Sequence, residues 1–212
     1  FFLATGDGAK TDAALSFPYQ GQAQSPAPWV YHSSDTFLAF RLMQSWSGQD
    51  LYDWIVANVF EPLRLSDATR QGLRTDVMAS NDGQHFGSHG SWWLPSDLVL
   101  LSRMLQEHAD GTRENLLDAA RVERALQRTA QANGVSAGEG LRYHRGFWSL
   151  DVTTAQGFPC DRRIAFMSGF GGITVVLLPN GAIYYVFSDN AEFAWLSAAA
   201  ELAKLGGFCT TQ

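Results

Sequence analysis

The chain contains few charged residues, few lysines and no long apolar run. Only 17% of its 212 residues are charged, and Lys10 and Lys204 are the only lysines. Its basic residues form no cluster, so the electrostatic surface that nucleic-acid binding requires is missing. No apolar run approaches the roughly 20 residues that span a bilayer. We therefore expect neither a nucleic-acid partner nor a membrane span.

Cysteine is also scarce, since Cys160 and Cys209 are the only two. Two distant cysteines exclude a zinc site built from cysteine ligands. They permit one disulfide in an oxidising compartment, but free buried thiols are the interpretation we favour. The compartment stays open between the cytoplasm and the periplasm or exterior.

Sequence motifs for metals and cofactors are weak. His85 and His89 have the spacing of zinc ligands on a helix, but Gly87 and Gly90 lie among them and no glutamate follows His85. We interpret them as loop histidines with local hydrogen bonds. We expect no P-loop and no G-x-G-x-x-G after a strand. We also expect no nucleophile elbow of the G-x-S-x-G type. The sequence predicts no metal and no cofactor.

Apolar residues make up 46% of the chain and aromatic residues 13%, which is enough for a sizeable core. The order of patterns predicts an α+β domain in which helices cover one face of an antiparallel sheet. We expect residues 1–30 to be an irregular lead-in, residues 31–130 to be mainly helical, and residues 141–207 to form antiparallel strands plus a terminal helix.

Four helices follow from the spacing of apolar residues and from start and stop signals. Ser33, Ser34 and Asp35 are candidate N-caps for the first helix, and Pro62 ends the second. Residues 75–90 are polar and glycine-rich, which predicts a long irregular loop. The predicted helices run from the caps through Met43, over Leu51 to Val59, from Pro95 to Gly111, and from Leu117 to Arg128.

Short β-prone runs occupy the last third of the chain, after a glycine-rich break from Gly134 to Gly140. Pro179-Asn180-Gly181 predicts a tight hairpin turn. Asp189 and Asn190 are candidate caps of a closing helix through Ala203. The predicted strands include Phe147 to Leu150, Ile164 to Phe166, Ile173 to Leu178, and Ile183 to Phe187.

A series of short motifs occurs in a characteristic order from Tyr31 to Asn190. The motifs are Tyr31 to Phe37, Phe60-Glu61-Pro62-Leu63, Phe86-Gly87, Pro95-Ser96-Asp97, Phe166 to Gly172, and Ser188-Asp189-Asn190. In this order the chain resembles class C β-lactamase-like serine hydrolases, and is most similar to their 6-aminohexanoate-dimer hydrolase and esterase branch. The resemblance implies a β-lactamase/transpeptidase-like fold.

The family's nucleophile segment, S-x-x-K, is absent from these residues. Asp7 stands three residues before Lys10, and Glu201 three residues before Lys204. In the family this motif precedes the tyrosine motif by many tens of residues. We therefore expect this chain to be the C-terminal part of a single such domain, incomplete at its N-terminus and inactive alone. The missing N-terminal segment would be its partner.

The resemblance assigns Tyr31 the role of catalytic base. A serine hydroxyl is a weak nucleophile and needs a neighbouring base. A phenol can act as that base only when a nearby cation stabilises its anion. Ser33 takes the place of an asparagine that contacts the substrate amide, and its alternative role is that of a helix N-cap.

The resemblance aligns Met167-Ser168-Gly169 with the K-T-G motif, which lies on an edge strand in the family. Ser168 and Gly169 are then substrate-binding residues, and the backbone amide of Phe170 is the candidate oxyanion donor. Losing the lysine of K-T-G favours neutral ester or amide substrates. Alternatively, Gly169, Gly171 and Gly172 allow a bulge or close strand packing.

The aromatic residues, Trp148 and Trp195 among them, are predicted to lie mostly in the core. Trp92 and Trp93 follow the glycine-rich loop and have a second interpretation, as one wall of an apolar substrate cleft.

Two functions fit the sequence. The first is a serine hydrolase that cleaves a small ester or amide through an acyl-enzyme, with the nucleophile segment outside this chain. The second is a non-catalytic binding or regulatory protein on the same scaffold.

Overall fold

A computed structural model describes residues 7–16, 31–72, 87–88, 90–113, 116–129, 134–188 and 190–210. The chain divides into two compact units, Phe1–Leu100 and Leu101–Gln212. The described residues form an α+β protein, as predicted, and none of their helices is long and apolar enough to cross a membrane. The helices are α1 (Asp7–Leu15), α2 (Ser33–Ser47), α3 (Leu51–Ile55), α4 (Asp67–Gly72), α5 (Pro95–Ala109), α6 (Ala119–Leu126) and α7 (Leu196–Ala203).

Helix α1 lies in the stretch that we expected to be irregular. That expectation is wrong for Asp7–Leu15. Ala14 is buried against Phe37 and Leu38 of α2, and Lys10, one turn before Ala14, is buried as well. Contacts with α2 therefore support a helix whose own apolar periodicity is too weak to reveal it.

Helix α2 begins at Ser33, after His32 in an extended conformation. The side chain of His32 makes no capping hydrogen bond. The prediction of Ser33, Ser34 or Asp35 as N-cap is wrong, because all three already lie in the first turn. The predicted end is confirmed: Gly48 adopts a left-handed φ of 65° and donates its N–H to the carbonyl of Gln44 at 3.1 Å.

The second predicted helix is confirmed as α3, which continues directly into a π-helix at Val56–Phe60. The Asp50 side chain caps α3 by accepting the N–H groups of Tyr52 at 2.8 Å and Asp53 at 3.2 Å. In the π-helical turn, the N–H of Glu61 bonds to the carbonyl of Val56 at 2.9 Å. The π-helix ends at Phe60, two residues before Pro62, whose ring and missing N–H do not allow a helix to continue.

Asp97 ties the start of α5 to the start of α4. Its carboxylate is buried and accepts the Ser66 N–H at 3.0 Å and the Ser66 hydroxyl. Beside it, the Leu94 N–H donates to the Thr69 hydroxyl at 3.2 Å. Buried polar groups need such partners. Asp97 therefore has a structural role at the predicted helix start, Pro95-Ser96-Asp97.

The second unit contains one six-stranded antiparallel sheet whose strands are adjacent in chain order. This confirms the predicted meander and its four β-prone runs. The prediction of a glycine-rich break was wrong, because the first strand forms within it. The strands are β1 (Val135–Gly138), β2 (Leu141–His144), β3 (Phe147–Val152), β4 (Arg162–Gly169), β5 (Ile173–Leu177) and β6 (Ile183–Val186).

The predicted hairpin between β5 and β6 is confirmed. Gly181, with a φ of 81°, donates its N–H to the carbonyl of Leu178 at 3.0 Å, and the Leu178 N–H bonds to the carbonyl of Ala182. The Asn180 side chain accepts the Ala182 N–H at 3.3 Å and donates to the carbonyl of Leu202 at 3.0 Å. The turn is therefore also anchored to α7.

Helix α7 covers one face of this sheet, which we call the α7 face. Alternate strand residues point to the same face, and Phe166 packs on Trp195, just before α7, with ring centroids 5.0 Å apart. The core of this face is entirely apolar and confirms Trp195 as a core residue. Its buried members are Val152, Phe158, Ile164, Phe166, Val176, Leu178, Trp195, Ala199, Ala200, Ala203 and Phe208.

Helix α6 and the second half of α5 cover the opposite face, which we call the α6 face. Ala165 and Leu177 are buried there, and α6 packs against β3 and β4. The Asp118 side chain caps α6 by accepting the Arg121 N–H at 2.8 Å, which confirms the predicted polar helix. Gln106 of α5 donates to the carbonyl of Leu178 at 3.0 Å. Helices therefore lie on both faces of the sheet, so the expectation that they cover one face is wrong.

Cys160 and Cys209 form a disulfide, with Cα atoms 6.0 Å apart. The expectation of free thiols is therefore wrong. The bond links the residues just before β4 to the chain that follows α7. Beside it, Arg162 donates to the carbonyl of Thr210 at 2.9 Å. The two cysteines are 49 residues apart in the sequence, so spacing alone could not show that they meet.

The closing helix is confirmed, but it begins at Leu196 and not near residue 190. The residue before it, Trp195, makes no side-chain capping bond. Asn190 therefore does not cap α7, and Asp189 lies outside the described residues. The carboxamide oxygen of Asn190 instead accepts the Glu192 N–H at 3.1 Å within the preceding loop.

Candidate functional site

Tyr31 lies two residues before α2, at the predicted junction of a loop and a helix. Its side chain is 44% exposed, so the phenol can be reached by solvent. Ser33 is half-buried in the first turn of α2. Both residues belong to the first unit, and α2 fixes the backbone of this motif through its buried Phe37.

Ser168, Gly169 and Phe170 lie together where β4 ends. We expected an edge strand, and this is wrong for most of β4, which is paired on both sides. The described pairing with β3 stops at Phe166, whereas pairing with β5 continues to Gly169. The last residues of β4 therefore have a strand partner on one side only. At this position the backbone behaves as an edge.

Two of the three glycines in this motif have a structural explanation. Gly171 and Gly172 form the β4–β5 turn with φ values of 84° and 93°. A Cβ on Gly172 would lie 2.5 Å from the carbonyl oxygen of Glu192. The alternative prediction of close packing is therefore confirmed for Gly172. Gly169 lies within β4, where a Cβ would be 3.3 Å from that of Ile173.

The loop after β6 lies against this turn. The Ala191 N–H donates to the carbonyl of Gly171 at 3.1 Å. Within the loop, the Ser188 hydroxyl donates to the carboxamide oxygen of Asn190. The sheet thus brings together two motifs that are distant in sequence, the one that ends β4 and the one that includes Ser188 and Asn190.

The five predicted site residues fall into two groups. Ser168, Gly169 and Phe170 are together in the second unit, whereas Tyr31 and Ser33 belong to the first. The Phe170 side chain is 99% exposed, so its contribution at this position is its backbone. The second group is accordingly a strand end with exposed backbone, and the first is a partly exposed phenol at a helix start.

An aromatic surface beside Gly169 was not predicted from the sequence. The α6 face is lined there, at the start of β5 and the end of β6, by Ile173, Tyr185 and Phe187. We call these three residues the aromatic shelf. The rings of Tyr185 and Phe187 lie 6.2 Å apart, edge to face, and 38% and 46% of these residues are exposed. Only the strand register shows that they share a face with Gly169.

The two tryptophans that were candidates for a cleft wall differ. Trp93 packs edge to face on Phe60, with centroids 5.9 Å apart, which is a core role. Trp92 is 77% exposed, and its N–H donates to the carbonyl of Gly72 at 2.9 Å. Only Trp92 therefore offers its ring to a ligand.

The second unit contains a serine motif that was not predicted from the sequence. Gly134-Val135-Ser136-Ala137-Gly138 spells G-x-S-x-G. A nucleophile elbow requires a sharp turn from a strand into a helix. Here Ser136 lies on the edge strand β1, which turns directly into β2. The expectation that the sequence lacks a motif of the G-x-S-x-G type is therefore wrong, but Ser136 does not lie at a strand-to-helix elbow.

No group of three or more His, Cys, Asp or Glu within the described ranges could hold a metal ion. The pair His85 and His89 lies outside these ranges. His108, in contrast, is fully buried with both ring nitrogens bonded: Nδ1 to the carbonyl of Met104 at 2.8 Å and Nε2 to the N–H of Leu117 at 3.1 Å. It is a structural histidine.

The chain matches no protein-family model and no curated protein.

Proposed function

We propose that this chain supplies the tyrosine and the oxyanion strand of a β-lactamase-like serine hydrolase that cleaves neutral esters or amides through an acyl-enzyme. The end of β4 carries the proposal. Its backbone is paired on one side only, at the motif that the resemblance identifies as the oxyanion strand. Because no S-x-x-K occurs among these 212 residues, the nucleophile is assigned to a segment outside them.

Two further features support the proposal. The sheet is antiparallel and is covered by helices, as the resemblance implies. Tyr31 is partly exposed at the start of a well-packed helix, where a base that accepts a serine proton must be accessible. Met167 in place of the K-T-G lysine leaves the strand end without that cation, which favours uncharged substrates.

In this proposal each of the five candidate residues has a separate catalytic or binding role. The Tyr31 phenolate accepts the proton of the attacking serine and returns it to the leaving group. The Phe170 amide donates a hydrogen bond to the carbonyl oxygen as it gains negative charge. Ser168 and Gly169 align the substrate along the strand edge, and Ser33 contacts its amide or ester oxygen.

A fluorophosphonate probe with mass spectrometry tests the proposal. We expect no labelled serine in the 212-residue chain. We expect labelling of an S-x-x-K serine in a polypeptide that carries both this chain and the coding sequence upstream of Phe1. In that polypeptide, Tyr31→Phe should lower kcat by about 100-fold or more. Labelling of Ser33 or Ser136 in the 212-residue chain would overturn these residue roles.

A coding sequence that starts at Phe1, or an upstream segment that contains no S-x-x-K, would also overturn the hydrolase. The chain would then be better described as a binding protein on the same scaffold. Determining that coding sequence is the most decisive first step.

A further inference from the structure

The aromatic shelf is an apolar surface that the sheet leaves uncovered. On the same face of β5, Val175 and Leu177 are buried, with 3% and 1% of their surface exposed. On the neighbouring outer strand, the exposure is 38% at Tyr185, which lies opposite Val175, and 46% at Phe187, which follows β6. Exposed aromatic rings in contact with each other have an unfavourable interface with water, and such patches commonly mark binding sites.

The shelf is continuous with the backbone of Gly169. Gly169 pairs with Ile173 across β4 and β5, and both face the same side as Tyr185. Because Gly169 has no side chain, a notch opens beside Ile173, and a Cβ there would come within 3.3 Å of it. A flat group lying on the shelf can therefore reach the backbone at the end of β4.

The surface of the aromatic shelf carries no charged side chain. Its three side chains carry no charge, and Met167, on the same face of β4, adds none. The chain as a whole has a net charge of −6, which disfavours an anionic ligand. The tyrosine hydroxyl adds one polar group at the rim of an otherwise apolar surface.

We infer that the aromatic shelf binds the uncharged aryl group of an ester or amide whose carbonyl lies at the end of β4. Edge-to-face and stacked contacts with the rings of Tyr185 and Phe187 would favour a planar aryl group over an alicyclic one. The inference rests on the proposed function for its choice of ester or amide. It adds the substrate class and the residues that select it.

Methyl NMR of the 212-residue chain tests the inference directly. We expect acetanilide to shift the Ile173 methyl signals in a saturable way. N-cyclohexylacetamide, which lacks the planar ring, and 4-acetamidobenzoate, which is anionic, should each bind at least about threefold more weakly. Equal binding of acetanilide and N-cyclohexylacetamide, or no shift at Ile173, would overturn the aryl assignment.

Variants identify the side chains involved. Phe187→Ala, Phe187→Leu and Tyr185→Ala should each weaken acetanilide binding about three- to tenfold, whereas Tyr185→Phe should keep it. Phe187→Leu retains an apolar side chain, so its effect does not depend on the folding of the alanine variant. Trp46→Ala serves as control, because Trp46 is 91% exposed in the first unit. Unchanged binding in the three weakening variants would refute the shelf.

The fluorophosphonate test separates this inference from the proposed function. Acetanilide binding at the shelf, with no labelled serine in the longer polypeptide, would leave a ligand site and remove the hydrolase. A labelled serine without acetanilide binding would keep the hydrolase and show that its substrate class is wrong.

Discussion

The sheet-bearing unit, Leu101–Gln212, and the helical unit, Phe1–Leu100, are stabilised in different ways. In the sheet-bearing unit, eleven buried residues from three strands, α7 and the flanking segments form one core, and a disulfide closes it. In the helical unit, the described buried residues come from helices and their connecting segments and are not closed by a disulfide; among them are Phe37, Phe40, Tyr52, Phe60, Leu63 and Leu65. Large apolar side chains such as Trp46 and Leu42 remain exposed there.

The difference shows where each kind of candidate residue is held. Strand β4, which carries the proposed oxyanion donor, belongs to a sheet covered on both faces, so its geometry is fixed by many long-range contacts. The tyrosine lies on a helix start that depends on a few buried side chains. Mutations far from Ser168 should therefore disturb the strand end less than mutations near α2 disturb Tyr31.

Removing the disulfide should have the largest effect on this contrast. Reduction, or the double change Cys160→Ser with Cys209→Ser, should destabilise the sheet-bearing unit by about 4 kcal/mol in the chain-entropy model for a loop of this length. Hydrogen exchange should show lost protection in β4 to β6 and little change in α2. Equal losses of protection in both units would contradict the expectation that the disulfide stabilises the sheet-bearing unit alone.

Phe37→Ala should have the second largest effect on stability and should lower hydrogen-exchange protection in the helical unit instead of the sheet-bearing unit. Phe37 is fully buried in α2, and its loss leaves a cavity that costs about 3 kcal/mol. Amides of α1 and α2 should exchange faster, while β3 to β5 keep their protection. Leu42→Ala is the matched control on the same helix, because Leu42 is 70% exposed. If the control destabilises α2 as much, the small core is not what holds it.

Gly172→Ala sharpens the comparison within the sheet-bearing unit. The added Cβ would meet the Glu192 carbonyl oxygen at 2.5 Å, and the φ of 93° adds strain, so we expect a loss of about 2 kcal/mol. Gly181→Ala isolates the strain, because its φ is 81° and nothing lies within 4 Å of the new atom. Urea unfolding of both variants measures the difference. Equal costs would mean that the close approach to Glu192 is unimportant.

Asp97→Asn should have the smallest effect, about 1.5 kcal/mol on the helical unit at neutral pH. Burial raises the pKa of Asp97, but hydrogen bonds from Ser66 and Thr69 lower it by more, so the net shift is downward. The ionised carboxylate therefore stabilises the fold at pH values above the pKa of Asp97 in the unfolded chain, which is about 4. This stabilisation is lost as the pH falls through the lower pKa of Asp97 in the folded protein.

The pH profile of stability checks this prediction. The difference between wild type and Asp97→Asn should shrink as the medium is acidified below about pH 4. Ser96→Ala is the local control, because Ser96 is exposed at the same helix start. A pH-independent difference would show that the charge of Asp97 contributes nothing.

Much of the sheet could be predicted because its signals are local. β-Branched runs around Ile164 and Ile173 and the turn at Asn180-Gly181 carry strand and hairpin preferences in a few residues. Helix α1 and strand β1 could not, since α1 depends on Phe37 and β1 on its partner β2. The disulfide escaped for the same reason, because a pairing across 49 residues is a property of the fold.

The candidate site was predictable only as separate pieces. The resemblance predicted an edge strand at Ser168-Gly169, where the structure has the end of a strand that is mostly paired on both sides. The preference for a helix after Tyr31 followed from apolar spacing. The aromatic shelf could not be predicted, because Tyr185 and Phe187 become neighbours of Gly169 only through the register of three strands. A one-residue slip would turn them to the opposite face.

The bond between Cys160 and Cys209 also has a mechanical consequence. It encloses β4, β5, β6 and α7 in a covalent ring. A force applied to the two ends of the chain could extend β1 to β3 and the helical unit, but the enclosed stretch would withhold about 160 to 180 Å of contour length until the bond is reduced. In a pulling experiment, β4 and the aromatic shelf would be the last parts of the chain to come under tension.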